Sequence, residues 1–173
     1  MISSAFKRGD YYCISYARDT GIDYFESPKI IAPQRSSSNT FAYNESSWYA
    51  SADVYFMTAK DRSSDLKYIL ALLNSRLYFT WLYHRGKLKG ETLELYLTPL
   101  SEIPIKKIAR QDQNPFVDIV NKIIFITQDS GYFAGPEKQA QVKEYEKQID
   151  RMVYELYGLT EEEIEIVERK IKP

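Results

Sequence analysis

Two short stretches in the first third of the chain are rich in β-branched and aromatic residues and bounded by turn formers. They are KIIAPQR (residues 29–35) and DVYFMTA (residues 53–59), and both predict strands. Between them SSSNTFAYNESSWYAS reads as a polar loop that carries Phe41, Tyr43, Trp48 and Tyr49. The period then changes. Leu66, Ile69, Leu70, Leu73 and Leu77 fall at helical spacing. Asp65 suits the N-cap and Gly86 the stop, with His84 and Arg85 favourably placed near the negative end of the helix dipole. That predicts one helix of roughly five turns. The basic loop HRGKLKG (residues 84–90) follows it. ETLELYLTPLSEIPIKKI then alternates apolar and polar positions and predicts short strands, the last near an edge or a domain exit.

The remainder is helical in pattern. Asn114 suits an N-cap and Pro115 the first turn of a helix through FVDIVNKIIFIT. GYFAGPE breaks it. Val142, Tyr145, Ile149, Met152, Val153 and Leu156 line one face of a second helix, which Gly158 ends. Thr160 and Glu163 form a capping box for a third, with Leu159 and Ile164 as its hydrophobic staple. The fold class expected is α+β: a small, mostly antiparallel sheet with a buried helix, then a C-terminal helical segment. The division expected is 1–110 and 111–173, with the boundary in ARQDQN.

At 173 residues the chain is long enough to bury a core. It has no apolar run of membrane-spanning length and no signal-peptide pattern at its start, so a cytoplasmic location is the default. One cysteine, Cys13, and one histidine, His84, exclude an internal disulfide and a Cys/His zinc site. The net charge of −1 conceals a division. Residues 1–110 hold 15 Lys and Arg against 11 Asp and Glu; residues 111–173 hold 8 against 13. A basic face is therefore available to the first part and not to the second. Fifteen tyrosines suit recognition surfaces as well as cores.

Chemistry is scarce. No Gly-rich phosphate loop is present. His84 is explained by the helix dipole, and Glu161 to Glu163 by their place in a first helical turn. Gln113-Asn114-Pro115-Phe116 falls short of the Asn-Pro-Pro-aromatic motif of amino methyltransferases, since the second proline and the preceding buried strand are missing. No catalytic residue and no metal ligand is expected.

Four stretches carry a resemblance: KIIAPQRS (29–36), LKYILALLNSRLYFTWL (66–82), LTPLSEIPI (97–105) and IDRMVYELYGLTEEEIEIVE (149–168). In that order the chain resembles the C-terminal target-recognition region of adenine-specific DNA methyltransferases. These are the TaqI-like specificity domains, including those of fused type IIG restriction–modification enzymes. The resemblance covers Lys29 to Glu168 and is poor before it. It implies a specificity fragment that recognises double-stranded DNA by sequence and has no catalytic centre. No cofactor is implied for the fragment, while the parent would use S-adenosylmethionine. The partners implied are double-stranded DNA and the catalytic domain of the same parent.

By composition alone, QRSSSN and HRGKLKG are ordinary exposed loops at opposite ends of the domain. The resemblance instead implies that both line one DNA-facing surface. Arg35, Ser36, Ser37 and Asn39 would come from the first, Arg85, Lys87 and Lys89 from the second, with Trp48 or Tyr49 beside them; Tyr49 is the aromatic assigned to the site. Two other classes stay open: a tyrosine-rich module binding a partner subunit, and a free-standing enzyme with an ionisable pocket.

Overall fold

The computed structural model describes residues 11–12, 23–49, 54–58, 63–90, 92–95 and 97–169. In chain order the elements are β1 (Tyr11–Tyr12), α1 (Asp23–Glu26), β2 (Lys29–Pro33), β3 (Arg35–Ser36), β4 (Ala42–Asn44) and β5 (Val54–Met57). Next come α2 (Leu66–Asn74), α3 (Arg76–Arg85), β6 (Lys87–Lys89), β7 (Thr92–Glu94), α4 (Leu97–Ser101) and β8 (Ile105–Lys106). The chain ends with α5 (Arg110–Thr127), α6 (Pro136–Tyr157) and α7 (Glu161–Glu168). Cys13 and the ends of the second predicted strand, Asp53 and Ala59, lie outside the described residues.

This is the α+β class, with the strands divided among three small antiparallel sheets: β4-β2-β5, β3-β7-β6 and β1-β8. The first predicted strand is split because Pro33 has no N–H to extend a ladder. The Leu95 N–H then donates to the Gln34 carbonyl at 2.7 Å, and the chain crosses to a new partner strand. Ile30 and Ala32 face the core from β2, with Met57 opposite Ile30.

The long predicted helix is two helices, broken at Ser75, whose ψ of 157° is extended. Three consecutive side chains explain the break. Asn74 accepts from the Phe41 N–H at 3.0 Å and donates to its carbonyl at 2.9 Å, replacing a strand neighbour for that residue. Ser75 donates to the Leu72 carbonyl and accepts from the Tyr78 N–H, ending α2 and capping α3. Arg76 turns towards the C-terminal helices. Asp65 caps α2 as expected, accepting from the Lys67 N–H at 2.8 Å. Gly86 stops α3, but with φ at −76° and not in the left-handed region. A Cβ there would lie 2.6 Å from the Leu82 carbonyl oxygen, so close approach is what requires glycine.

Three other expectations change. HRGKLKG is not a loop: its lysines form β6, which returns through Gly90 (φ 63°) to pair with β7. LTPLS is helix α4, not strand, with Pro99 early enough in it to lack no bond. Finally, α5 begins at Arg110, so Asn114 is not its cap and Pro115 lies inside it. Anchors upstream of the proline hold that extra turn. Arg110 pairs with Asp65 at 2.8 Å. Buried Gln113 accepts from the Asp65 N–H and donates to the Ser63 and Ile108 carbonyls. Phe116 then packs edge-on against Tyr68 at 5.3 Å.

The tail follows its sequence closely. Gly158 (φ 60°, ψ 48°) ends α6, and Thr160 and Glu163 form the capping box of α7. Side chains from both sides of residue 110 share one core: Phe116, Val120, Val153 and Tyr157 pack with Ile30, Leu72 and Leu77. Three fully buried tyrosines fix the segment between α4 and α5. Tyr78 and Tyr157 donate to the Pro104 carbonyl, and Tyr68 donates to that of Lys106. Part of the tyrosine excess is thus structural.

Candidate nucleic-acid interface

Strand β7 lies between β3 and β6, so it joins the two polar stretches that the sequence keeps some fifty residues apart. Directly paired residues of antiparallel strands share a face. Arg35 and Lys87 are each register partners of Glu94, which brings three charged positions together across three strands. Lys89 stands opposite Thr92, and Ser36 opposite buried Leu93. Glu94 is itself buried, and its carboxylate lies 3.5 Å from the Arg35 Nε.

The hydroxyls of Ser36 and Thr40 are bonded at 2.9 Å, and the Ser38 N–H donates to Ser36 at 3.3 Å. This small turn presents Ser37 and Ser38 to solvent. Arg85 is exposed in the last turn of α3, its guanidinium 5.9 Å from the Trp81 ring centre.

Asn39 does not join them. Its amide nitrogen donates inward to the Leu73 and Ser75 carbonyls at 2.6 and 3.3 Å, and its Oδ1 is buried. It covers the carbonyl end of α2, an open need wherever a helix ends. Tyr49 stands apart too. It is exposed, stacked on Phe25 at 5.0 Å, within an aromatic group that includes Trp48 and Phe56 of β5. Lys29 holds that group. Its buried ammonium donates to the carbonyls of Phe25, Ser27 and Ser46, so the segments bearing Phe25 and Trp48 are tied together. Burial lowers the Lys29 pKa.

Sequence reasoning missed Lys29 and Glu94. Glu94 had a faint signal, a lone carboxylate in the alternating run TLELY; Lys29 had none. Among the described residues no group of three or more His, Cys, Asp or Glu is placed to hold a metal. No described helix is long and apolar enough to cross a membrane.

Residues 8–105, more than half of the chain, match the family described as the TaqI-like C-terminal specificity domain. The chain belongs to that family. It is 27% identical over 104 residues to the type II methyltransferase M.HincII of Haemophilus influenzae, which covers 57% of this chain and 21% of that protein. Its similarity to the type II methyltransferase M.HindII of H. influenzae strain ATCC 51907 / DSM 11121 / KW20 / Rd is the same, 27% over 104 residues, covering 57% and 20%. The chain thus spans about a fifth of the length of these relatives. The TaqI-like match takes in the β4-β2-β5 and β3-β7-β6 sheets and the α2–α3 pair, and reaches the first residue of β8. It ends at Ile105, where the three buried tyrosines gather. It begins earlier than the resemblance at Lys29, and the C-terminal stretch 149–168 lies beyond it.

Proposed function

We propose that this chain recognises double-stranded DNA by sequence, as the specificity part of a restriction–modification adenine methyltransferase. The observation that carries the reading is the β3-β7-β6 sheet. Within a specificity-domain family it gathers Arg35, Lys87 and Lys89, residue types suited to phosphates and base edges, on strands joined through one neighbour, while Ser36 is paired with buried Leu93 on the other face. Asn39 falls out of the contact set, and Tyr49 belongs to a separate aromatic group. S-adenosylmethionine and the chemistry belong to a catalytic part of the parent, which is the second partner, and the setting is the cytoplasm.

Replacing both Lys87 and Lys89 by alanine tests it. Binding to duplex DNA is expected to weaken for all sequences, with the salt slope falling by about 2. Binding unchanged at every salt concentration would sink the assignment of these lysines.

A second reading, a protein-interaction module, has Phe125 and Phe133 in its favour, which are 80% and 86% exposed. The enzyme reading gains nothing from the cavity of about 400 Å³ where α2, α5, α6 and residues 39–43 meet. Its walls are largely apolar, and Glu146 is the one carboxylate lining it.

A further inference from the structure

Arg35 and Lys87 are both register partners of Glu94 but have different chemical capacities, and the difference bears on how sequence is read; this step rests on the DNA-binding reading above. A phosphate needs only positive charge nearby, and lysine supplies it from many orientations. A guanine edge is more demanding. Its O6 and N7 are matched by two donors held in one plane, the fork of an arginine.

Arg35 is arranged for the second task. Its Nε lies in ion-pair range of Glu94 Oε1, at 3.5 Å, while its side chain is 57% exposed against 3% for that of Glu94. Glu94 sits on the central strand between buried Leu93 and Leu95. It is therefore a fixed anchor and not a side chain that swings with its partner. Among the described residues Arg35 has no other ion pair and no hydrogen bond through its side chain, which leaves both terminal nitrogens for a ligand. Anchoring one edge of a guanidinium reduces the rotamer freedom lost when the other edge binds. The carboxylate also offsets the charge, so the pair adds little to the sequence-independent attraction of the phosphate backbone.

We infer that Arg35 is a specificity-determining residue that reads a guanine in the major groove, and that Glu94 is the positioning residue that aims its fork.

The test is selection of bound duplexes from a random library by the full chain, by Arg35→Lys and by Glu94→Gln. Anisotropy titrations against salt follow, on the selected site and on random duplex. The parent chain is expected to select a site with at least one fixed G·C pair. Arg35→Lys is expected to relax one such pair and weaken the selected site roughly 5- to 150-fold. Its random-duplex affinity and salt slope are expected to stay unchanged. Glu94→Gln is expected to relax the same pair. Because Glu94 is buried, its variant is compared only after circular dichroism shows the native fold. Arg35→Lys alters an exposed side chain and keeps the test decisive if Glu94→Gln does not fold.

Equal weakening of selected and random DNA by Arg35→Lys, with the slope reduced by about 1, would make Arg35 a phosphate contact and overturn the inference. No effect on either DNA, or parent binding with no fixed G·C pair, would overturn it and leave DNA binding standing. No duplex binding by the parent chain would overturn the DNA reading and this inference together.

Discussion

Asp150 accepts the backbone N–H of Arg76 at 2.8 Å, across a sequence separation of 74 residues. A residue of α6 thereby helps cap α3, alongside the Ser75 hydroxyl. Arg76 answers with its side chain, reaching Asp150 at 3.5 Å and Glu168 of α7 at 2.9 Å. Tyr154 donates to the same Glu168 carboxylate at 2.8 Å. The break between α2 and α3 is thus one point where the C-terminal helices are fastened to the matched domain.

Burial pushes the Asp150 pKa up from 3.8 to about 6, against the lowering effect of the Arg76 N–H and guanidinium. A carboxyl with a raised folded-state pKa stabilises most when protonated. Its contribution is fully present below about pH 4 and is lost as pH rises through about 6. Asp150→Asn keeps an acceptor for the Arg76 N–H and removes the buried charge. Urea unfolding at pH 4.5 and 7.5 is expected to show Asp150→Asn gaining on the parent by about 1–3 kcal/mol as pH rises. A difference that stays constant with pH would contradict this.

Gly86 is expected to resist substitution for a steric reason. Gly86→Ala places its Cβ against a backbone carbonyl in the turn that launches β6, and about 1–3 kcal/mol of stability should be lost. Gly90 makes the contrast. Space around it is open, but its φ is 63°, so Gly90→Ala should cost only about 1–2 kcal/mol through backbone strain. Chemical denaturation of the two variants checks the order; a harmless Gly86→Ala would mean that the α3–β6 junction is looser than described.

Asn74 offers a donor and an acceptor to one backbone residue, Phe41, whose ring is buried. Asn74→Ala removes both partners and should cost about 2–4 kcal/mol. Asn74→Asp keeps the acceptor but sets a carboxylate against the Phe41 carbonyl, so it should recover little. Thermal unfolding followed by circular dichroism measures both, and an aspartate variant as stable as the parent would refute the two-bond arrangement.

The elements that sequence made legible are those whose instructions are local. Thr160 and Glu163 cap α7 with contacts three residues apart, and Gly158 adopts the left-handed turn that its position asks for. Asp65 caps α2 for the same reason. What stayed hidden depends on distant partners. The Ser75 break needs Asp150 and Asn39, and the early start of α5 needs Gln113 bonded to residues around α2. The site divides in the same way. The chemistry of Arg35, Lys87 and Lys89 was visible in their residue types. Their meeting on one sheet required β7, and Asn39 turned inward because a helix end two strands further along the chain lacked a donor.

Fluorescence anisotropy of labelled random-sequence duplex DNA, titrated with this chain over a range of salt concentrations, tests DNA recognition most directly. Binding that tightens steeply as salt is lowered is expected, with a slope of about 0.9 per phosphate contacted. Absence of binding even at the lowest salt would contradict a DNA-facing surface on this chain.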